Sequence, residues 1–322
     1  MIFKDQKNKI ITLIIILSIF LLYFILRPTN NHTALAYITN QGEDTVSVID
    51  LSNKRELKKI NVGESPLGVH ILSRNKLAVI GNVKSRTLSV IDINSNILLK
   101  TIPLNFTPLG ITSDTSEDRL FITDWFNNKV AVLSVKKLEV VTTFNVGLTP
   151  SGIVFNKTLN YIVISNRDQN TIEIYEGGNY KLVKKITTGL HPFGIHTTGH
   201  YVYSANVYDD SISIINLNNF STQVIRVGMH PYSVVTDKGF AFVTNTQDDS
   251  ISIVDLNRGK EIEKIAVGEN PENLSIDSND NQLIVTNWGG DSISIIDLKT
   301  YKVIKEVKTG LQSRAFGSFI YQ

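Results

Sequence analysis

The sequence contains no cysteine, and among its 322 residues are only two methionines, two tryptophans and eight prolines. The absence of cysteine excludes a disulfide scaffold, thiolate metal sites, a cysteine nucleophile and covalently attached c-type haem. The sequence also lacks a P-loop, a Gly-x-Gly-x-x-Gly after a strand, a His-Glu-x-x-His pair and a nucleophile elbow. Hydrophobic residues nevertheless make up 42% of the chain, so it can build a sizeable core.

The chain also has little net charge, and that charge is unevenly placed. Residues 1–33 hold four basic groups against one acidic group, so the other 289 residues carry 28 basic and 29 acidic groups. A domain with a charge of −1 supplies no general electrostatic argument for binding nucleic acid. Nucleic acid is therefore an unfavoured partner.

One long hydrophobic run is present, at residues 10–26, and it contains no charged side chain. At 1.5 Å per residue it is just long enough to span the core of a bilayer. Three lysines precede it and Arg27 follows it, which predicts a cytoplasmic N-terminus and a single-pass protein of the cell membrane. The predicted segments are a basic tail at 1–9, a transmembrane signal-anchor at 10–26, a linker at 27–33 and an extracytoplasmic domain at 34–322. The alternative is secretion after signal-peptide cleavage near Ala36.

A phrase of the form Gly-x-x-Pro recurs at intervals of 39 to 42 residues. Five copies are regular, Asn105 replaces the glycine in another, and Gly310 begins a seventh in which Arg314 follows one residue late where proline is expected. A second phrase runs in phase with it: a strand ending in Asn, a polar loop, and a Ser/Val/Ile run such as SISIVD at 250–255. Seven copies of about 41 residues indicate seven four-stranded blades.

The Val- and Ile-rich strands and regular turns predict an all-β domain. The chain begins at the second strand of a repeat and ends, at residues 314–321, in a segment that matches the innermost strand. That offset lets the last strand complete the first blade. We therefore predict a seven-bladed β-propeller closed by its C-terminal strand, preceded by the transmembrane helix. An open solenoid is the alternative, but it would need polar end caps.

The strands YITN at 37–40 and TVSVIDL at 45–51, like FVTN and SISIVDL within 242–256, resemble the YVTN-type β-propeller repeat. The resemblance covers nearly all of residues 34–322 and implies an exported or surface protein of bacteria or archaea. It implies no single function. Members include surface-layer components and a single-stranded DNA binder, and related propellers act in electron transfer or as lactonases and lyases.

Most repeated loop residues have a structural explanation. The Asn that ends the second strand of most repeats should tie its loop through side-chain to backbone hydrogen bonds. The Asp before each SISI strand should form a turn. Departures from the repeat are more informative about ligands, because the fold does not require them. The candidates for a ligand-binding face are Trp125, Trp288, Arg167, Tyr208, His191, His230 and Arg314.

Trp125 and Trp288 share one repeat position, directly after Asn or Asp, and Arg167 occupies that position in another blade. Exposed tryptophans would suit a binding surface, whereas packing over neighbouring loops is the alternative. Arg314 would either bring positive charge to the channel mouth or pair with a carboxylate where the ring closes.

The histidines fall into two pairs. His191 and His230 precede the repeat Pro in consecutive loops and are weak candidates for a metal or for acid–base work. No third ligand is evident, so we predict no cofactor. His70 and His196 lie on innermost strands, where they either face the central channel or are buried as structural residues.

These features favour a membrane-tethered, extracytoplasmic propeller that binds a protein, a glycan or another cell-envelope component without catalysis. One alternative is a metal-dependent, lactonase- or lyase-like enzyme that uses His191 and His230 with a nearby carboxylate. The other is a binder of single-stranded nucleic acid that stacks bases on Trp125 and Trp288. No catalytic residue is assigned.

Overall fold

A computed structural model describes residues 34–322, and these form one compact unit. The predicted basic tail, transmembrane segment and linker lie outside the described residues. Within residues 34–322, no helix is long and apolar enough to cross a membrane. The one helix in this part of the chain is a 3-10 turn at Arg167–Gln169.

The strands form seven sheets, which are the blades of a propeller, so the predicted all-β, seven-bladed fold is confirmed. The first blade contains β1 (Leu35–Asn40), β2 (Thr45–Asp50) and β3 (Arg55–Asn61), and the second contains β4 (Pro66–Leu72), β5 (Leu77–Asn82), β6 (Thr87–Asp92) and β7 (Ile97–Pro103). The third contains β8 (Pro108–Ser113), β9 (Arg119–Asp124), β10 (Lys129–Ser134) and β11 (Glu139–Asn145), and the fourth contains β12 (Pro150–Asn156), β13 (Tyr161–Asn166), β14 (Thr171–Glu176) and β15 (Leu182–Thr187). The fifth contains β16 (Pro192–Thr198), β17 (Tyr201–Asn206), β18 (Ser211–Asn216) and β19 (Thr222–Arg226). The sixth contains β20 (Pro231–Asp237), β21 (Phe240–Asn245), β22 (Ser250–Asp255) and β23 (Lys260–Ala266), and the seventh contains β24 (Pro271–Asp277), β25 (Gln282–Asn287), β26 (Ser292–Asp297) and β27 (Lys302–Lys308). The chain ends with β28 (Phe316–Ser318) and β29 (Ile320–Tyr321).

The C-terminal segment closes the ring, but in two pieces rather than as one regular strand. β29 pairs antiparallel with β1 as the innermost strand of the first blade. β28 instead pairs in parallel with β4 of the second blade. The reason is a difference in length between two paired stretches. Arg314 N–H donates to the Thr39 carbonyl, and Tyr37 N–H donates to the Phe319 carbonyl. The C-terminal segment therefore advances five residues while β1 advances two. The surplus residues bulge toward the neighbouring blade, so the continuous inner strand predicted over 314–321 is wrong in its middle.

The repeated Asn links the second and third strands in five of the seven blades. Asn245 donates through Nδ2 to the hydroxyls of Ser250, at 3.0 Å, and Ser252, at 2.8 Å. The same two contacts recur at Asn40, Asn82, Asn206 and Asn287. The predicted side-chain to backbone bond is present at Asn40, whose Oδ1 accepts the N–H of Gly310 at 3.0 Å, but the recurring contacts are to hydroxyls of the third strand. This explains why serine alternates with isoleucine in the SISI runs.

The Asp before the third strand turns the chain and also links two blades. Asp249 has a left-handed backbone with φ 47°, and its Oδ1 accepts the backbone N–H of Asn270 in the next Gly-x-x-Pro loop at 2.8 Å. Equivalent bonds are made by Asp44, Asn128, Asn170, Asp210 and Asp291. The predicted turn role is confirmed, and each contact adds a tie between neighbouring blades.

The isoleucines of the third strands fill the space between blades. Ile251 and Ile253 of the sixth blade pack in one cluster with Leu274 and Leu283 of the seventh. Each such side chain contributes about 1.5–3 kcal/mol when it is fully removed from water. The core is therefore a series of apolar clusters between neighbouring blades.

Candidate functional site

Two kinds of loop alternate around one face of the propeller, which we refer to as the loop face. Within a blade, the loop after the second strand bonds to the Gly-x-x-Pro loop that precedes the blade: the N–H of Trp125 donates to the carbonyl of Thr107, and that of Trp288 to Asn270. The side-chain ties described above connect six of the seven blades to the next one, and the second blade, which has Arg86 at this position, makes no such bond. The loops form a rim, and all seven candidate residues lie on it.

An apolar cluster closes the channel at the centre of this face. Its members, the mouth cluster, are Leu67, Leu109, Phe193, Tyr232 and Phe316. The ring centroid of Phe193 lies 4.4 Å from that of Tyr232 and 4.9 Å from that of Phe316. Four of these five residues come directly after the proline of the repeat. The residue that follows this proline therefore points toward the propeller axis.

Trp125 connects the mouth cluster to the rim. It is half-buried, with its ring centroid 6.4 Å from that of Phe193 in an edge-to-face arrangement. On its other side it stacks on the exposed Phe126, at a centroid distance of 5.8 Å. Trp125 therefore packs over a neighbouring loop and also supports an exposed aromatic ring.

A buried ion pair lies beside the mouth cluster. Arg314 Nη2 is 3.0 Å from Glu272 Oε1, and both side chains are largely buried. The guanidinium also lies 5.5 Å from the centroid of the Trp288 ring. Burial raises the pKa of Glu272 to about 7, although the charge of Arg314 opposes that rise. The structure thus confirms that Arg314 pairs with a carboxylate where the ring closes. Arg314 Nε and Trp288 Nε1 are both buried and have no acceptor in the described chain.

The structure brings His191 and His230 together around Tyr208. The phenol ring lies 4.2 Å from the His191 ring and 5.4 Å from the His230 ring, measured between centroids. Burial, together with the positive charge of Arg167, lowers the pKa of His191. Across residues 34–322, no three side chains of the metal-ligating types converge on one point. The two histidines and Tyr208 therefore form an aromatic group on the rim without a third ligand.

Large apolar side chains are exposed along one half of the rim. Between 45% and 71% of the surface of each is accessible, and these residues, the apolar arc, are Phe126, Leu148, Leu190, Tyr208 and Met229. They occupy successive loops of the third to sixth blades, interrupted by Arg167. On the opposite half, Leu311 is the exposed large apolar side chain of the described loops, and in the loops of the second blade Glu64 pairs with Lys84. The loop face is therefore asymmetric.

Beneath the mouth cluster, the inner strands enclose a cavity of about 290 Å³. His70 and His196 both line it, so they face the channel. Nε2 of His70 is 2.9 Å from Ser113 Oγ, and Nε2 of His196 is 3.1 Å from Thr236 Oγ1. Burial lowers the pKa of both imidazoles to about 4, and a positive charge at Lys157 adds to the effect at His70.

These two histidines should make the domain sensitive to acid. The unfolded chain takes up their protons near pH 6.5, whereas the folded chain does so only near pH 4. Stability from this source is therefore present above pH 6.5 and is lost as the pH falls to 4, by at most about 3 kcal/mol per histidine.

Replacing both histidines, His70→Gln with His196→Gln, should flatten the profile of unfolding free energy between pH 6.5 and 4. Glu272 titrates in both proteins, so its contribution cancels in the difference. The control is His200→Gln on the surface, and a double variant with the wild-type slope would contradict the prediction.

Several residues at the centre of the loop face are absent from the sequence-based candidates, namely Phe193, Tyr232, Glu272 and Phe316. Three of them follow the repeat Pro directly, so the phase of the repeat could have found them. Burial, with the nearby charge of Glu272, raises the pKa of Tyr232 above its usual value. These residues turn a set of separate rim positions into one surface with a packed centre.

Together, fold and loop face define a seven-bladed β-propeller with a closed channel mouth and one apolar half-rim. A family model for YNCE-like beta-propellers matches residues 228–316, which span the last two blades. No curated protein sequence matches the chain.

Solved structures share the fold at low identity. A functionally unknown protein from Desulfotomaculum acetoxidans is 14% identical with a TM-score of 0.75, and the match covers 87% of this chain and 99% of that one. Kuenenia stuttgartiensis hydrazine synthase is 13% identical with a TM-score of 0.73, covering 81% of this chain and 91% of that one. The dihydro-heme d1 dehydrogenase NirN, solved in complex with DHE, is 12% identical with a TM-score of 0.67, covering 85% of this chain and 63% of that one. At such identities the likeness concerns the fold alone.

Proposed function

We propose that this chain is a non-catalytic, membrane-tethered, extracytoplasmic propeller that binds a protein of the cell envelope through its loop face. The observation that carries the proposal is the apolar arc, because five large side chains stand exposed in adjacent loops on one half of the rim. Soluble monomers rarely expose contiguous apolar patches unless the patch serves an interaction. The tether and the YVTN-type relationship belong to the proposal, resting on residues 10–26 and on the repeat phrases.

The chemistry of the surface favours a protein over a glycan. Leu148, Leu190 and Met229 are unable to hydrogen-bond through their side chains, whereas the centres of protein interfaces are poor in charge and rich in Met and aromatic residues. The adjoining Trp125, Tyr208 and Arg167 are of the types enriched among residues that dominate binding energy. Trp125 links this surface to the packed mouth cluster through its contacts with Phe126 and Phe193.

The proposal predicts that charges in the arc abolish binding. The double substitution Leu190→Asp with Met229→Asp should weaken binding of the partner by about 30-fold or more, which corresponds to 2 kcal/mol or more. The measurement is quantitative capture of the partner from envelope extracts by the full chain, followed by titration with the purified partner. Leu99→Asp is the matched control, since Leu99 is exposed on an outer strand away from the loop face.

Two outcomes would contradict the proposal. One is equal binding by the arc variant and the Leu99→Asp control. The other is metal-dependent turnover of lactones or esters by the wild-type chain that is lost on His191→Ala. The tether is tested separately: protease added outside intact cells should digest the propeller, and the full chain should remain in the membrane fraction.

A further inference from the structure

The outermost strand of every blade presents an unpaired edge, and six of these seven edges carry lysine or arginine. The strand without a basic residue is β11, whose sequence EVVTTFN has Glu139 as its single charge. By contrast, β3 reads RELKKIN, β15 reads LVKKIT and β27 reads KVIKEVK. Lysines on edge strands oppose pairing with another chain, so β11 lacks a protection that the other blades have.

The edge of β11 is also exposed and held in place. Six of its seven residues are exposed, and most are β-branched, which suits addition of a further strand. Phe144 anchors it from the side, with its ring stacked on Tyr180 at 5.1 Å and tilted against Tyr175 at 5.2 Å. A bulge at Val141 interrupts the register with β10, so the regular stretch of the strand begins at Thr142. In a symmetric pair centred on Thr143, regular pairing would therefore cover residues 142–144, because Asn145 would lie opposite the bulged Val141.

We infer that β11 pairs antiparallel with β11 of a second copy of this chain, about a two-fold axis that passes between the two Thr143 residues. In that register Thr142 lies opposite Phe144 of the other copy, and no charged side chains face each other. Directly opposite Thr–Thr pairs are favourable in antiparallel sheets. The described domain is nearly neutral, so it adds little general repulsion between copies. The product is one sheet continuous through two blades.

The repeat supplies a matched comparison on the same molecule. Thr101 on β7 is the equivalent of Thr143, because it pairs with Ser89 as Thr143 pairs with Ala131. Self-pairing of β7 in the same register would place the two Lys100 side chains diagonally, at about 7–8 Å, where like charges repel. The inference therefore applies to the third blade and not to the second.

A cysteine-free chain makes this inference directly testable. Thr143→Cys in the full chain, kept in mild detergent under oxidising conditions, should form a disulfide-linked dimer at least about tenfold faster than Thr101→Cys, because pairing raises the local concentration of the two thiols. Directly opposite residues also satisfy the Cα separation that a disulfide requires. Adding Thr142→Lys, which copies the lysine of β7, should reduce the rate to that of the Thr101→Cys control.

Both threonines are exposed, so each variant should melt like the wild type, and this is checked first. Equal cross-linking of Thr143→Cys and Thr101→Cys would overturn the inference. A monomeric mass by light scattering at every dilution would also overturn it, even if β11 then proved to bind a strand of a different protein. A dimer that Leu190→Asp abolishes while Thr142→Lys leaves it intact would place the contact on the loop face, and would also overturn the inference.

Discussion

A chain that ends at Gln312 is expected not to fold, although it keeps 27 of the 29 strands. The missing residues 313–322 contain β28 and β29, and they contribute three core side chains: Ala315, Phe316 and Phe319. Loss of a buried phenylalanine costs about 3–5 kcal/mol, so the two together remove about 6–10 kcal/mol. That loss is comparable with the whole stability of a typical domain, which is about 5–15 kcal/mol.

The truncation also leaves unpaired groups behind. Glu272 loses Arg314, the partner that holds its buried carboxylate, and β1 loses the inner strand that caps its edge. The expected result is an aggregated or protease-sensitive chain without a cooperative melting transition. Deletion of Gln322 alone is the control, since that residue is exposed and loses only surface hydrogen bonds to Ile276 and Asp277, so melting should change little. Adding a peptide of residues 313–322 during refolding should restore a transition, and a truncated chain that melted like the wild type would refute the prediction.

The architecture could be predicted because the sequence pattern of one blade is repeated seven times. The Gly-x-x-Pro phrase and the SISI runs each correspond to one place in a blade, and their phase predicts strand order and closure together. The alternation of serine and isoleucine has a simple physical basis in the structure. Serine hydroxyls accept from the repeat Asn on one side, and isoleucines fill the space between blades on the other.

Where the repeat is broken, the sequence predicts less. Ser313 bridges to Asn40 as each repeat Pro pairs with its Asn, so Ser313 takes the proline position and the expectation that Arg314 replaces the proline one residue late is wrong. The surplus residues follow Arg314, and their course depends on which neighbour can pair with them. The structure resolves this through β4, whose inner edge accepts β28 in parallel. A bulge of this kind depends on contacts between segments that are far apart in the sequence, and no local sequence pattern predicts such contacts.

The candidate site likewise has residues that the repeat predicts and residues that it does not. Trp125, Trp288 and Arg167 could be placed on one face, because a shared repeat position implies a shared place in the fold. The phase of the repeat gives the residues after the repeat Pro one shared position, but their type varies from Leu67 to Glu272, and nothing in the sequence shows that this position points at the axis. Of the apolar arc, the sequence indicates only Tyr208, because single exposed apolar residues in loops are ordinary and only their adjacency around the rim makes the other four notable.

The ring of inner strands leads to the second large expected effect. Near the axis, each strand approaches the next so closely that glycine occupies the third residue of β4, β8, β12 and β16. A Cβ at Gly152 would lie 2.5 Å from the carbonyl oxygen of Phe193 and 2.6 Å from Ile195 Cγ2. The carbonyl belongs to the backbone of the next blade, so it cannot rotate away. Ser233 and Asn273 stand at this position in the last two blades, so the approach there must leave room for a side chain.

Gly152→Ala should therefore destabilise the domain strongly, although alanine is the smallest possible addition. The Ser165 hydroxyl accepts the N–H of Gly152 at 2.9 Å and donates to the Phe193 carbonyl at 2.7 Å, and the new methyl group would separate these partners. Overpacking and the lost hydrogen bond together should cost about 3–4 kcal/mol. In a domain of this size that loss lowers Tm by roughly 5–7 °C. Gly178→Ala is the control, because Gly178 is exposed and a Cβ there meets nothing within 4 Å. Denaturant and thermal unfolding of both variants measure the effect, and a Gly152→Ala protein within about 0.5 kcal/mol of wild type would show that the inner ring adjusts freely. A large loss would instead show that the spacing of the inner strands is fixed by backbone contact, which is the rigidity that the mouth cluster and the loop face above it depend on.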